Sequence, residues 1–274
     1  MNRLLKADLY RMCKSRLTMI ALILASAFPV VVVLLYVGIR AMAGLEPDMI
    51  GSELLFNANT VIGSCYSLTN NIGMIVPAFA GVLVCADYTN GTLRNKVIAG
   101  NRRTEIYLSH LIVSILFSVA IITIYTVLTT ALSLLLLPFS RDPSGNLFSE
   151  VFRFAAYGTM TFVFIATVST LFAMTFRSIA PTIIFTIVPA ILLLTANSVL
   201  LMIDYSAYKY LVYFIPTFGA NFFNLNSAGL FDLMGGGVSG SDTLIFAEGM
   251  LSYLFFGALN TVLGILIFNK RDVK

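Results

Sequence analysis

The residue types that carry most enzyme and metal chemistry are scarce in this chain. It has three cysteines and one histidine, His110, and no two of these four residues have the spacing of zinc ligands or of a short-range disulfide. The sequence contains no GxxxxGK[ST] phosphate loop, no HExxH and no GxSxG. We therefore expect no catalytic, cofactor or metal site, and we interpret His110 as a hydrogen-bonding residue at a membrane surface.

The most informative group of polar residues lies in the stretch 87–105, which begins with Asp87 and carries four basic residues. A turn that ends in Gly91 can start a helix, and Gly100 can end it. A helix of two turns is not stable alone in water. We therefore predict that it docks on a partner, with an ordinary basic loop as the alternative. Its predicted apolar side consists of Leu93, Val97 and Ile98.

Uncharged polar residues occur inside the apolar runs, and Asn70 and Asn71 are the most polar of them. Neighbouring residues of a helix point about 100° apart, so at least one of the two is expected to face protein or a watery cavity. The alternative is that these amides only hydrogen-bond between helices. The sequence shows no charge near the middle of an apolar run, which counts against an ion-coupled carrier.

Residues 1–16 have the periodicity of an amphipathic helix. We expect this helix to lie in the membrane interface, with its cations near anionic headgroups. A basic flank without a separate role is the alternative. The predicted apolar arc consists of Leu5, Leu9, Met12 and Cys13, and the neighbouring basic arc of Arg3, Lys6, Arg11 and Lys14.

The composition indicates the class of protein in which these residues lie. Of the 274 residues, 58% are hydrophobic and only 11% are charged, against roughly 25% charged in an ordinary globular domain. Such a chain can neither cover a soluble surface nor stay disordered. The net charge of +4 does not indicate nucleic-acid binding, because the basic residues lie between apolar runs and form no continuous face.

The apolar runs predict an all-α polytopic membrane protein with six transmembrane helices in one domain. Each run can cross a hydrocarbon core of about 30 Å. The segment 204–245 is expected outside the cell, with a re-entrant or interfacial part before the last helix. The predicted spans are about 17–39, 61–86, 106–137, 154–176, 181–203 and 246–268.

The distribution of Lys and Arg predicts the orientation. With a cytoplasmic N-terminus, most of the 17 basic residues fall in inside segments and most of the 13 acidic residues fall outside. Both termini and the stretch 87–105 are then cytoplasmic. The first apolar run is too long for the apolar core of a signal peptide, so we interpret it as a span.

The order of these elements resembles that of the permease subunits of type-2 ABC transporters, chiefly bacterial exporters. The most specific part is Asp87 followed by Gly91-Thr92-Leu93-Arg94, and then Gly100-Asn101-Arg102-Arg103. In that family this loop carries the coupling helix that docks on the ATPase subunit. Asp87 stands where Glu is common, and Gly100 stands near a position where Pro is frequent.

The resemblance implies a transporter in the bacterial cell membrane with two permease subunits, identical or different, and two separate ATPase subunits that hold ATP and Mg. This chain would be a non-catalytic subunit whose pathway residues include Asn70 and Asn71. The expected substrate is an antimicrobial peptide or an amphiphilic drug. A scaffold or sensor that recruits a cytoplasmic partner without transport is the alternative, and an autonomous channel or carrier is a weaker one. The implied ATPase-coupling residues are Gly91, Thr92, Leu93, Arg94, Lys96, Val97 and Ile98.

Overall fold

The computed structural model describes residues 2–42, 61–62, 65–66, 71–137, 147–203 and 242–270. Within these ranges the regular structure is helical, and no strand occurs. The fold is therefore all-α over the described residues, as the apolar runs predicted. The helices are α1 (Asn2–Lys14), α2 (Arg16–Met42), α3 (Asn71–Thr89), α4 (Thr92–Ile98), α5 (Arg103–Leu136), α6 (Leu147–Phe176), α7 (Ile179–Ile203) and α8 (Asp242–Lys270).

Four segments of these helices are long and apolar enough to cross a membrane, counting only residues that the structure describes. They lie in α2, α5, α6 and α8 and overlap the first, third, fourth and sixth predicted spans. The helices α3 and α7 contain shorter described apolar segments, Phe79–Thr89 and Ile179–Leu192. The second and fifth crossings therefore stay predictions. The four segments are Arg16–Met42, Arg103–Leu136, Gly158–Phe176 and Gly249–Lys270.

Two predicted features fall largely outside the described residues. The second span was predicted to begin at residue 61, whereas α3 begins at Asn71 and residues 65–66 form a turn. Asn70 lies outside the described residues, and of Asn71 only the backbone, at the start of α3, is described. The segment 204–245 is also outside them, except that α8 already begins at Asp242.

The helix α6 occupies the centre of the bundle, because it packs against α3, α5, α7 and α8. Beside it, the rings of Phe79 and Phe117 stack between α3 and α5, with centroids 3.6 Å apart. Small residues allow other helices to approach closely. A Cβ added at Gly264 of α8 would lie 2.0 Å from the Tyr107 hydroxyl of α5.

Three contacts gather separate parts of the chain at one end of the bundle, here called the α4 end. Lys96 of α4 contacts Asp8 of α1. Tyr88 donates to the backbone carbonyl of Met174 near the end of α6, 3.3 Å away. Arg103 at the start of α5 donates to the backbone carbonyl of Asn269 near the end of α8, at 2.9 Å. The starts of α1 and α5 thus share one end with the last turns of α6 and α8, as the predicted orientation requires.

The helices α1 and α2 are separated by a single residue, Ser15. Its hydroxyl oxygen accepts a hydrogen bond from the backbone N–H of Thr18, at 3.1 Å. A serine that binds the third N–H of a helix in this way acts as its N-cap. The polypeptide therefore starts a new helix at Arg16 instead of continuing α1.

Candidate functional site

The short helix α4 begins and ends at glycines, as its sequence predicted. Gly91 has φ +67° and Gly100 has φ +84°, values that glycine adopts without the steric penalty of a Cβ. At the C-terminal end, the N–H of Gly100 bonds to the carbonyl of Val97 at 3.0 Å, and the N–H of Asn101 to that of Lys96 at 3.4 Å. This pair of bonds is a Schellman motif, and it ends the helix sharply.

One side of α4 packs against its own chain. Leu93 is only 1% exposed and belongs to a buried apolar cluster with Leu4 of α1, Ile106 of α5 and Phe268 of α8. Val97 is half-buried against the same cluster. Tertiary packing of this kind supplies the stability that two isolated turns lack.

The opposite side of α4 faces away from the bundle. Arg94 and Asn95 are exposed, and the Ile98 side chain is 73% exposed. The predicted coupling residues therefore divide into two groups. Leu93 and Lys96 face inward and contact the permease itself, whereas Arg94 and Ile98 are available to another protein.

Below α4 lies a group of charged and titratable side chains from four helices, here called the buried ion cluster and defined as Asp8, Arg11, Asp87, Lys96 and His110. The Lys96 ammonium lies 2.6 Å from Asp8 Oδ1 and 2.9 Å from Asp87 Oδ2. Arg11 forms an ion pair with the other oxygen of Asp87. The cluster thus joins α1, α3, α4 and α5 through side chains that are far apart in sequence.

Asp87 is the centre of this cluster and its side chain is fully buried. His110 Nε2 lies 3.1 Å from Asp87 Oδ2 and 3.4 Å from Lys96 Nζ. Burial alone would raise the pKa of Asp87. Hydrogen bonds from His110 and Arg11, with the charges of His110 and Lys96, outweigh burial and hold that pKa well below its ordinary value. The carboxylate therefore stays ionised at neutral pH.

Two hydroxyl groups bond to the aspartates of the cluster, one to a carboxylate and one to a backbone carbonyl. Ser109 donates to Asp8 Oδ2 at 2.7 Å, and the Asp8 side chain is 4% exposed. Thr92 at the start of α4 donates to the backbone carbonyl of Asp87 at 3.2 Å. Buried charges are tolerated when they are paired and hydrogen-bonded in this manner.

The charged groups of the buried ion cluster are paired with one another. The carboxylates of Asp8 and Asp87 are occupied by basic side chains, and among the residues that the structure describes no three His, Cys, Asp or Glu side chains form a group that could hold a metal ion. The cluster is suited to fixing four helices relative to one another.

The periodicity of residues 1–16 did not indicate the role of α1, because the predicted apolar arc differs in phase from the inward face of the helix. The inward face carries Leu4 and Asp8, whereas Cys13 of the predicted apolar arc is exposed. The true face is rotated by about one residue from the predicted one. The available signal was Asp8 itself, the sole acid in a basic helix, placed four residues after Leu4.

A comparison with protein families identifies the chain. The family model described as ABC-2 family transporter protein matches residues 4–192. The chain belongs to the ABC-2 family of transporter permeases. The matched region runs from the first turn of α1 into α7, and so it includes α4 and the entire buried ion cluster. No curated protein matches the chain.

Membership defines the general role of this permease. It is a membrane component of an ABC transporter, and permeases of the family associate with ABC ATPases. The earlier resemblance to type-2 permeases is thereby confirmed.

Proposed function

We propose that this permease is one of the two membrane subunits of an ATP-driven exporter, and that separate ATPase subunits attach at the outward side of α4. The observation that carries the proposal is the two-sided setting of this helix. Its inner side is fixed by Leu93 and Lys96, while Arg94 and Ile98 stay exposed. The seven-residue helix is held by these contacts, so a displacement by the ATPase can pass from α4 to the rest of the permease while the helix stays folded.

The exposed residues of α4 suggest the chemistry of the ATPase surface. Ile98 presents a large apolar side chain that is 73% exposed, and an exposed guanidinium lies one turn earlier at Arg94. An apolar pocket bordered by carboxylates would match both groups, because apolar anchors and paired arginines carry most of the energy at interfaces. We expect an apolar pocket of this kind, bordered by carboxylates, on the ATPase.

The buried ion cluster can transmit a displacement of α4 to the helices that continue into the membrane. When the ATPases close on ATP and displace α4, Lys96 acts on Asp87 in the last full turn of α3 and lies beside His110 of α5. Movement of these helices would alter the interface with the second permease, identical or different, and open the pathway. The expected orientation has α4 on the cytoplasmic side. The family resemblance suggests that the subunit lies in the bacterial cell membrane.

The substrate class rests on family resemblance. We propose an antimicrobial peptide or another amphiphile, because small permeases of this type are frequent in peptide immunity and drug efflux. Asn70 and Asn71 remain proposed pathway residues.

Co-purification with the ATPase encoded beside the gene tests the attachment site. We expect the double change Arg94→Glu and Ile98→Asp to weaken ATPase association at least tenfold, since charge reversal and loss of an apolar anchor together remove about 1.4 kcal/mol or more. Arg102→Glu is the matched control, because this exposed residue lies in the same loop outside α4. Retained association in the double variant would show that the ATPase attaches elsewhere.

Reconstituted vesicles test the activity itself. The permease with its ATPase should move an amphiphilic peptide only when ATP is hydrolysed. Assembly with a cytoplasmic partner without nucleotide-dependent movement would favour the scaffold or sensor alternative.

A further inference from the structure

The outer side of α1 carries positive charge without any acid. Arg3, Lys6 and Lys14 are exposed, and Tyr10 between them is 66% exposed. Their spacing of three or four residues places them along one side of the helix. The Lys14 ammonium lies 3.0 Å from the Tyr10 hydroxyl and 5.4 Å from the centroid of its ring. We call these four residues the outer basic stripe.

The charge of the stripe is not balanced by the helix itself. Asp8 is the one acidic residue of α1, and it is turned inward and 4% exposed. An unbalanced row of cations with an aromatic side chain is typical of helices that bind at the headgroup level of a membrane.

The position of the stripe indicates a lipid rather than a protein partner. Just beyond α1, the exposed apolar surface of α2 begins with Leu17, and Met19 and Ile20 are 62% and 53% exposed. This surface belongs to a helix long and apolar enough to cross the membrane. The stripe therefore adjoins the level at which lipid tails give way to headgroups, whereas the exposed groups of α4 lie on a different element.

The inner side of the same helix is bonded to α4. Asp8 accepts from Lys96 at 2.6 Å and from Ser109 at 2.7 Å. Arg11 pairs with Asp87, directly below the start of α4. The carboxylates of both contacts are buried and paired with basic groups, so α1 and α4 are held in one relative position. A displacement of α1 toward the membrane is expected to carry α4 with it.

We propose that the outer basic stripe binds anionic phospholipid headgroups and that, through the bridge from Asp8 to Lys96, the lipid charge controls the position of α4. The membrane binding stands alone, and its effect on transport rests on the proposed function of α4. A basic residue near an anionic surface strengthens attachment by about fivefold. Three of them give a difference on the order of 100-fold between anionic and zwitterionic membranes, which added salt reduces.

A native cysteine on α1 can be labelled to test whether the outer basic stripe binds anionic lipid. Cys13 is exposed and lies beside Lys14, whereas Cys65 and Cys85 are buried. A polarity-sensitive fluorophore on Cys13 should move to a less aqueous environment when the full chain is transferred from phosphatidylcholine vesicles to vesicles that also contain phosphatidylglycerol. The shift should disappear at high salt.

Matched variants assign the response to the stripe. The triple change Arg3→Gln, Lys6→Gln and Lys14→Gln should abolish the fluorescence shift. The control triple Arg94→Gln, Arg102→Gln and Lys270→Gln removes the same number of exposed cations outside α1, and it should retain the shift. A wild-type label that is insensitive to phosphatidylglycerol, or a stripe variant that still responds, would overturn the proposal.

A second measurement tests the link to α4. In the assembled transporter, phosphatidylglycerol should raise permease-stimulated ATP hydrolysis severalfold in the wild type and leave it unchanged in the stripe variant. Asp8→Asn should keep the fluorescence shift but lose the effect on hydrolysis, because a neutral amide binds Lys96 more weakly. Purification as a single monodisperse species shows that the variant is folded.

The experiments distinguish failure of lipid binding by the outer basic stripe from failure of the proposed control of α4. If the fluorescence shift is present but no ATPase binds in any lipid, the proposed function is wrong and the lipid site stands. If Asp8→Asn responds to lipid as the wild type does in both measurements, the bridge does not carry the effect and the control of α4 is overturned.

Discussion

At the scale of single residues, Lys96 links helices that are far apart in sequence, because its ammonium contacts two carboxylates from different helices. Its side chain is 16% exposed, so the charge is largely shielded from water. We expect Lys96→Met to lower the free energy of unfolding by about 3 kcal/mol, because it leaves Asp8 and Asp87 with too few positive partners. Equilibrium unfolding in detergent measures this loss.

The neighbouring residue Arg94 is the control for this change. It is exposed on the same short helix, and Arg94→Ala should alter the free energy of unfolding by no more than about 0.5 kcal/mol. Equal stability of Lys96→Met and wild type would show that the bridge contributes nothing.

Asp87 gives the stability a defined dependence on pH. Burial raises its pKa, but bonds and charges from His110, Arg11 and Lys96 prevail and lower it well below the ordinary value of 3.8. A carboxyl group with a lowered pKa in the folded state stabilises the fold above its unfolded pKa, and this stabilisation is lost as the pH falls below it. We expect the wild type to lose stability progressively as the pH falls below about 5, and the loss continues below 3.8 towards the lowered pKa of the folded state.

Comparison with Asp87→Asn isolates this carboxyl group. The variant should be less stable than the wild type at pH 7, and the difference should shrink as the pH falls through the same range. A difference that stays constant over that range would mean that Asp87 is not held ionised by its partners.

Residue patterns predicted local features better than long-range ones. Gly91 and Gly100 were identified as the ends of α4 because the conformations that glycine favours there are a local property of the backbone. The meeting of Asp8 with Lys96 joins positions 88 apart, and no local pattern contains it. The mere presence of His110 suggested only a hydrogen bond, and its carboxylate partner could not be foreseen.

At the scale of elements, four of the six predicted apolar runs coincide with helical segments that are long and apolar enough to cross a membrane. The helices α2, α5, α6 and α8 contain segments that can span a membrane. The phase of α1 was wrong by about one residue, because its inward face is formed by a charged side chain, Asp8, that bonds to other helices. Hydrophobic periodicity assumes that charges point outward, and here the assumption fails.

The contact between α5 and α8 depends on a glycine. A Cβ at Gly264 would lie 2.0 Å from the hydroxyl of Tyr107 and 2.8 Å from its ring carbon Cε2. Gly264→Ala should therefore force the helices apart and lower the free energy of unfolding by about 1–3 kcal/mol. The same equilibrium unfolding in detergent measures the effect.

Two turns earlier on α8, Gly257 serves as the matched control. An added Cβ there meets no atom within 4 Å. Gly257→Ala should be neutral or slightly stabilising, since alanine favours a helix over glycine. If both substitutions had the same effect, helix propensity and not the contact with Tyr107 would account for it.

At the scale of the whole molecule, the contacts at the α4 end place α1, the stretch 87–105 and the end of α8 together. Combined with the distribution of Lys and Arg, this arrangement predicts that the α4 end is cytoplasmic. The exposed Cys13 lies on α1 and reports the side of the membrane directly. A membrane-impermeant thiol reagent should label it in inside-out vesicles and leave it unlabelled in right-side-out vesicles.

The buried cysteines make this measurement specific. Cys65 and Cys85 are 1% exposed, so Cys13→Ser should remove most of the labelling. Labelling of Cys13 from the outside would reverse the predicted orientation and exclude α4 as a cytoplasmic attachment site.

The bridge between Asp8 and Lys96 also has a consequence for the order of events during synthesis. Its two residues are 88 positions apart, and α2 and α3 lie between them. At roughly 5–20 residues per second, a ribosome needs on the order of ten seconds to make the intervening chain. Throughout that interval Asp8 lacks Lys96, although Lys6 and Lys14 lie on its own helix. The bridge therefore becomes possible before α5, α6, α7 and α8 have been synthesised, so α1 and α4 can be joined while most of the bundle is still missing.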